Sequence, residues 1–410
     1  MNAGGNEESD ATIVGAGPSG AIAAQVLAKA GMSVVCLEQG EYPDYTSIRF
    51  DEPGFELRKD MGFGFNPNRR RMPSDYPIEV SDSDINPLMW NGVGGGTVIY
   101  AGAWNRFQPS NFKVRTLDGV AADWPLTYVD RDTGRTHAQK SRIVLLCANG
   151  IGTPRLMLNS ATAKFPTGLA NGSDLVGRNL MLHPFTTVTG LFDEILDSWQ
   201  GTAAQRAYCL EFAETGADRG FLRGAKLMLM PTGSPLGSIG QHPWGRETDW
   251  GEDFHRTVHQ RFGRSAIWDI IAEDLPFPHN RVTLDPELKD EDGIPAPKVS
   301  YRYDDDMHRL QKFMQEKAVI SMREAGAYEA LVAPPLRETG WHILGTVRMG
   351  DDPETSVVDG YGRAHDCATL FVIDGSVMPT SGAVNPTATV AALALRNAEA
   401  IVRGRRDQPF

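Results

Sequence analysis

Residues 10–38 read DATIVGAGPSGAIAAQVLAKAGMSVVCLE, and this stretch decides the fold. A short apolar run leads into Gly15, Gly17 and Gly20, which have the spacing of the dinucleotide-binding fingerprint GxGxxG. A helical pattern and a second apolar run follow, and Glu38 ends that run. The order strand, tight turn, helix, strand, acid predicts a Rossmann-like unit.

Each glycine of the fingerprint has a distinct physical task. Gly15 permits the tight turn, Gly17 lets the backbone approach a pyrophosphate, and Gly20 permits close packing of helix on strand. Glu38 lies 23 residues beyond Gly15, at the offset of an acid that bonds a ribose hydroxyl, which disfavours NADP. The fingerprint does not separate FAD from NAD.

Length and charge restrict the function classes. A chain of 410 residues predicts two domains, or one large domain with an insertion. A net charge of −12 and a pI near 5.3 argue against a nucleic-acid or anionic-membrane surface, so the expected partner is a small molecule. No run approaches the roughly 18 apolar residues of a spanning helix, so we expect no direct membrane insertion.

The four cysteines are scattered without CxxC spacing, which indicates reduced thiols rather than a zinc site or a disulfide framework. No metal site is expected. The first ten residues lack the pattern of a secretion signal, so the predicted location is the cytoplasm, with the periplasm only if a partner carries the chain there.

The segment FVIDGSVMPTSGAVNPTATVAALALR, residues 371–396, indicates which cofactor is bound. A strand ends near Asp374 and Gly375, and a helix is predicted with Asn385 as N-cap and Pro386 as its first residue. Such a helix end stabilises the anionic reduced flavin, which favours FAD. Taken alone, Asn385 is equally well explained as a helix cap.

His342, in GWHILGTVRMG, is the best candidate for a general base. An imidazole with a pKa near 6.5 accepts an alcohol proton near neutral pH. Without further support, a structural histidine is the favoured interpretation of this residue.

Several sequence blocks, in this order, resemble the glucose-methanol-choline (GMC) oxidoreductases, flavoenzymes that oxidise alcohols and sugars. The blocks are DATIVGAGPSG (10–20), GVGGGTVIYAGAWNRF (92–107), DWPLTY (123–128), ANGIGTPRLML (148–158), GRNLMLHPF (177–185), WHILGTVRMGDDPETSVVD (341–359) and residues 371–396. The resemblance implies FAD-dependent oxidation of a CH–OH group of a sugar, sugar acid or glycoside, with a dehydrogenase favoured over an oxidase. It leaves open an electron-acceptor subunit or a quinone as a second partner.

The resemblance also assigns residues. His342 corresponds to the catalytic base and Asn385 to the second catalytic position, whereas His183 is assigned a structural role. Ile99 stands where some relatives carry a histidine linked to the flavin, so we expect non-covalent FAD. The expected FAD-binding residues are Gly15, Gly17, Gly20, Glu38, Gly94, Gly95, Asn105, Asp374, Gly375, Pro386 and Thr387.

The predicted fold is α/β, with an FAD-binding Rossmann-like domain and a second α+β substrate domain on an antiparallel sheet. The expected ranges are 1–40, 90–185 and 340–410 for the FAD-binding domain, 186–339 for the substrate domain, and 41–89 for an irregular connection that includes the basic run Arg69–Arg71. Other expected elements are a strand at 142–148, a helix from about Thr153, strands at 281–284, 298–303 and 370–373, and helices at 304–325 and 387–402.

One departure from the family motivates an alternative. Relatives commonly have a long segment after the DWPxxY block, whereas here Tyr128 runs almost directly into a hairpin and the strand from Arg142. That segment supplies a central strand of the family's flavin sheet and an adenine contact. The alternative is therefore a shortened, inactive member that does not retain FAD; a third reading, an NAD-dependent dehydrogenase, has only the fingerprint in its favour.

Overall fold

A computed structural model describes residues 8–44, 67–68, 75–100, 102–105, 124–129, 136–200, 207–214, 218–238 and 251–407. The run Arg69–Arg71 and much of the predicted connection lie outside these ranges. The four cysteines are all described, and their thiols are free.

The first sheet is built on the strand that precedes the glycine fingerprint. Its strand order is β12-β13-β4-β1-β2, with parallel pairing of β4 to both β1 and β13 and of β1 to β2. The strands are β1 (Ser9–Val14), β2 (Val34–Leu37), β3 (Trp124–Val129), β4 (Thr136–Leu146), β12 (Arg363–Ala364) and β13 (Cys367–Val372).

The helices of this layer pack their apolar residues on the sheet. The helices α1 (Pro18–Lys29) and α6 (Thr387–Asp407) cover one face, where Ile13, Leu145 and Ala394 are fully buried in one core. The helix α2 (Asn149–Asn159) follows β4. It begins at Asn149 rather than near Thr153, because the Asn149 side chain accepts the N–H groups of Ile151 and Gly152 and so caps an earlier turn.

The hairpin predicted before the strand from Arg142 is confirmed. Strand β3 pairs antiparallel with the first half of β4, and the second half of β4 continues into the parallel sheet. Among the described strands, the sheet is continuous from β12 to β2.

The second sheet is antiparallel, with the order β11-β5-β8-β7-β6. The helix α5 (Asp305–Glu324) packs on it through Met307, Leu310 and Met314, and the Asp304 side chain caps its N-terminus by accepting from Met307 N–H. The strands are β5 (Phe185–Leu191), β6 (Ala207–Cys209), β7 (Ala225–Met230), β8 (Ser265–Ala272) and β11 (Glu329–Val332).

The remaining elements lie outside the two sheets. They are the antiparallel pair β9 (Arg281–Lys289) and β10 (Pro295–Ser300) and the helices α3 (Pro235–Ser238) and α4 (Glu252–Arg261). The buried pair Arg155–Asp290, with 2.6 Å between its charged atoms, joins α2 to the turn between β9 and β10. The predicted fold class, a Rossmann-like layer with a second α+β layer on an antiparallel sheet, is confirmed.

Within the ranges that the structure describes, no helix combines the length and the apolar character that crossing a membrane requires.

Candidate active site

Two glycines of the turn between β1 and α1 have no room for a side chain. Gly15 has φ +104°, and a Cβ on it would lie 2.5 Å from the carbonyl oxygen of Cys147. A Cβ on Gly20 would lie 1.9 Å from the Gly15 carbonyl oxygen, so α1 packs against the turn through bare backbone. Gly17 has no atom within 4 Å of its Cβ position and faces the cavity described below. The turn therefore leaves open backbone at the positive end of α1.

A second glycine turn packs on the first. Gly94 N–H donates to the Ala16 carbonyl oxygen at 2.8 Å, and a Cβ on Gly95 would lie 3.1 Å from the Gly17 Cα. The Glu38 carboxylate accepts from Ala16 N–H at 2.7 Å and from Gly40 N–H at 3.0 Å. The acid at the end of β2 is thereby held at the edge of the glycine turn.

One cavity of about 890 Å³ is lined both by these turns and by the C-terminal segment. Its volume lies within the roughly 300–1,000 Å³ usual for ligand pockets. The open backbone at Gly17, the N-terminus of α1 and the carboxylate at Glu38 fit a dinucleotide. The predicted residues that line it are Gly15, Gly17, Glu38, Gly95, His342, Asp374, Gly375, Asn385, Pro386 and Thr387, together with Ile99.

Three predicted FAD-binding residues have other positions. Gly20 lies in the contact of α1 with the turn, Gly94 begins the second glycine turn, and the Asn105 side chain accepts from the Lys226 ammonium at 2.9 Å. None of these three is part of the cavity lining described for the chain.

Asp374 lines the cavity, but protein groups already occupy its carboxylate. One oxygen accepts from Asn149 N–H and the Thr153 hydroxyl, and the other from Ser376 N–H and the Ser376 hydroxyl. Burial raises the pKa of Asp374, and these hydrogen bonds lower it. Its side chain thus ties the end of β13 to the start of α2.

Asn385 does not cap the last helix. The helix α6 begins at Thr387, and the Pro386 carbonyl oxygen accepts its first bond, from Val390 N–H. The prediction that placed Asn385 at the N-cap and Pro386 inside the helix was therefore off by one residue. The amide of Asn385 is directed instead at His342 and Lys226.

A hydrogen-bonded chain fixes the tautomers of two histidines. His183 Nε2 lies 2.6 Å from the Gly382 carbonyl oxygen, which can only accept, so Nε2 carries the proton. Burial lowers the pKa of His183 to about 4, so its ring is neutral and Nδ1 is an acceptor. His342 Nδ1 lies 3.0 Å from that atom and must donate to it. The Nε2 atom of His342 is left as a bare lone pair.

His342 is also neutral. Burial is the main cause that holds the pKa of His342 well below its ordinary value, and the interactions with the neighbouring His183 and Lys226 lower it further. Its Nε2 faces the Asn385 amide nitrogen at 3.2 Å, and the amide donates. A neutral imidazole with a free Nε2 beside an amide donor is suited to accept a hydroxyl proton.

Lys226, which the sequence analysis missed, determines the orientation of that amide. Its ammonium donates to Asn385 Oδ1, and because an ammonium cannot accept, the amide nitrogen must face His342. Burial lowers the pKa of Lys226 to about 8, and Asp269 partly offsets this effect. The sequence did contain a signal for Lys226 and its neighbour Asp269. Each is the single charged residue of an otherwise apolar strand, AKLMLM and SAIWDIIA, where a charge is unusual.

His183 was assigned a structural role, yet it is the link that makes His342 a base. Its backbone has φ +51°, a conformation that costs a non-glycine residue of the order of 1–3 kcal/mol and is enriched at functional sites. We therefore describe His183 as a positioning residue.

The family models agree with this geometry. One described as GMC oxidoreductase matches residues 276–394, and an NAD(P)-binding Rossmann-like domain matches residues 13–72. The resemblance to the GMC oxidoreductases on which the site residues were assigned is confirmed.

Two curated relatives and one solved structure illustrate the similarity. The 2-methyl-1,2-propanediol dehydrogenase of Mycolicibacterium austroafricanum is 28% identical over 97% of this chain and 96% of its own length. The fructose dehydrogenase large subunit of Gluconobacter japonicus is 32% identical over 68% of this chain and 50% of its own length. A crystal structure of pyridoxine 4-oxidase from Mesorbium loti matches with a TM-score of 0.66 at 16% identity, over 95% of this chain and 98% of that one, and shows the fold alone.

These alignments bear on the length of the chain. The match to the propanediol dehydrogenase extends over 540 positions and this chain has 410 residues, so at least 130 positions have no counterpart here. The chain also spans about half the length of the fructose dehydrogenase large subunit. The placement of the shortfall near Tyr128 stays a prediction.

The tautomers are open to direct measurement. In ¹⁵N-histidine spectra at about pH 6, we expect His183 protonated on Nε2 and His342 on Nδ1, both neutral, because the pKa of His183 is about 4. A His183→Gln variant assigns the signals. An imidazolium signal from His342 at that pH, or a proton on its Nε2, would contradict the hydrogen-bonded chain.

Proposed function

We propose that the chain binds FAD non-covalently and oxidises a CH–OH group of an alcohol, sugar or glycoside. The observation that carries the proposal is the bare Nε2 of His342 beside the Asn385 amide, in the cavity that also contains the Gly15–Gly17 turn. The resemblance to the GMC oxidoreductases supports the reaction class. The alternative of an inactive shortened chain is not favoured, because the catalytic groups converge and the sheet is continuous.

His342 and Asn385 divide the work on the substrate hydroxyl. His342 Nε2 takes the hydroxyl proton, while Asn385 Nδ2 donates to the same oxygen and so opposes its rotation. When bound, FAD supplies the acceptor for the hydride that leaves the carbon. The apolar side chains of Phe185, Met228 and Ile271 line the same cavity and exclude water from the reacting carbon.

The residues proposed to hold FAD come from three parts of the chain, which suits the proposed ranges 1–40, 90–185 and 340–410 for the FAD-binding domain and 186–339 for the substrate domain. They are Gly15, Gly17, Gly20, Glu38, Gly94, Gly95, Asn105, Asp374, Gly375, Pro386 and Thr387. For Gly20, Gly94 and Asp374 the contribution is through the turns and strand ends that their contacts fix.

Two finer points belong to the same proposal. We propose a dehydrogenase rather than an oxidase, since both curated relatives described above are named dehydrogenases, with a quinone or a partner subunit as electron acceptor. We also propose a cytoplasmic location, which suits the four free thiols.

His342→Ala should slow reduction of the flavin by substrate about a hundredfold to ten-thousandfold, because it removes the general base. The measurement is anaerobic bleaching of the flavin absorption by a panel of glucose, 2-deoxyglucose, fructose, sorbitol, propylene glycol and n-propanol. His259→Ala, an exposed position on α4, is the matched control and should leave the rate unchanged. An undiminished rate in His342→Ala would remove this residue as the base.

The flavin should leave the protein on acid precipitation, because Ile99 in the cavity wall has no nucleophilic atom to link it. The absorption of the pellet and of the supernatant decides the point. Yellow colour retained in the washed pellet would mean a covalent link through another residue.

In air-saturated buffer, the reduced flavin should persist for much longer than the time of one catalytic turnover. A quinone should reoxidise it quickly. Stopped-flow mixing with oxygen and with a soluble quinone measures both rates. Rapid reoxidation by oxygen, with release of hydrogen peroxide, would make the protein an oxidase.

A further inference from the structure

The cavity wall formed by the second sheet carries one acid among apolar side chains. Phe185, Met228, Met230 and Ile271 line the cavity together with Asp269. The strand register places Asp269 opposite Met228 on β7 and Thr187 on β5, so it points to the same side of the sheet as its apolar neighbours.

The carboxylate of Asp269 is buried but incompletely bonded. The residue is 2% exposed, and its Oδ1 has no hydrogen-bond partner in the part of the chain that the structure describes. A buried acceptor without a partner costs about 1–3 kcal/mol, and more when it is charged. Burial also raises the pKa of Asp269 well above its ordinary value. Asp269 also lines the cavity, so a ligand donor that reached this oxygen would supply the missing hydrogen bond.

Lys226 balances the charge of this acid. It stands two positions from Met228 on the same face of β7, diagonal to Asp269, and the interaction with Lys226 lowers the pKa that burial raises. The ammonium also donates to Asn385 and Asn105. The neighbouring positive charge disfavours a cationic ligand group at Asp269, so a neutral donor such as a hydroxyl is the better match.

The subsite is close to the reacting oxygen. The alcohol that gives its proton to His342 also accepts from Asn385 Nδ2, and the other end of that amide is bonded to Lys226. Asp269 is the diagonal neighbour of Lys226, which for side chains on one face of a sheet is a separation of about 7–8 Å or less. The proposed subsite therefore adjoins the lysine that orients the catalytic amide.

We propose that Asp269 is a specificity residue that accepts a hydrogen bond from a second, non-reacting hydroxyl of the substrate, so that diols and polyols are preferred over mono-alcohols. The proposal rests on the proposed function of the same site. It adds a substrate feature, a second hydroxyl near the first, and assigns it to a named residue of β8.

The test compares two matched pairs of alcohols, propylene glycol with n-propanol and glucose with 2-deoxyglucose, on the FAD-loaded protein. The wild type should show a kcat/KM that is about tenfold to a hundredfold higher for the member with the extra hydroxyl. Asp269→Ala should bring the ratio of the two kcat/KM values close to one in the pair that the wild type distinguishes. It should lower kcat/KM much more for the member with the extra hydroxyl than for the member without it. Asp269→Asn should fall between, because a neutral amide oxygen accepts a weaker hydrogen bond.

His259→Ala, an exposed change on α4 outside the cavity lining, is the control and should leave both ratios unchanged. Alaninol, which carries an ammonium in place of the second hydroxyl of propylene glycol, should be a poorer substrate than propylene glycol. Flavin absorption and the melting temperature show whether each variant folds and retains FAD.

The outcomes separate the two proposals. A wild type whose flavin no alcohol of the panel reduces would overturn the proposed function and this inference with it. If the wild type oxidises alcohols without preference within either pair, or Asp269→Ala and Asp269→Asn both keep the preference, only the subsite is wrong. An equal loss for both members with loss of FAD would assign the carboxylate to the cofactor, and preference for alaninol would assign it to a cation.

Discussion

The hydrogen bond from His183 to the Gly382 carbonyl oxygen sets the state of every polar group that follows it in the site. A backbone carbonyl cannot donate, and a lysine ammonium, at the opposite end of the chain of bonds, cannot accept. Between these fixed ends, Lys226 donates to Asn385, Asn385 to His342, and His342 to His183. All four donors point the same way, so the arrangement has one consistent set of proton positions.

That polarity has a consequence for the substrate. The contact of Asn385 Nδ2 with His342 Nε2, 3.2 Å long, is the link of the chain that faces the cavity. An alcohol inserted there donates its proton to the imidazole and accepts from the amide, so it replaces one bond with two and leaves the others unchanged. Because these groups are buried, their orientation is set before substrate arrives, and little reorganisation is needed during the reaction.

The sequence predicted what depends on local pattern. The turn at Gly15–Gly20 was readable because steric exclusion of Cβ leaves a direct mark on the residue types. The start of α2 was missed because it depends on a side-chain cap from Asn149. The helix-cap interpretation of Asn385 was wrong because its side chain bonds to partners 43 and 159 positions away, which a local pattern does not show. His183 was assigned a structural role, because its tautomer depends on His342 and Gly382, which are distant from it in the sequence. Lys226 and Asp269 each interrupt an apolar strand, and only the strand register brings them onto one face.

The short length of the chain need not damage this site, because the strands that support it remain flanked. Strand β1 lies between β2 and β4, and β4 lies between β1 and β13. Both strands therefore have their backbone groups paired on each side, and the glycine turn emerges from β1 while α2 follows β4. At the two ends of this strand order lie β2, with four residues, and β12, with two, while β3 is off this order and pairs with β4. Short edge strands offer little unpaired backbone to other chains. The described part of the sheet thus supports the glycine turn and the start of α2 from both sides.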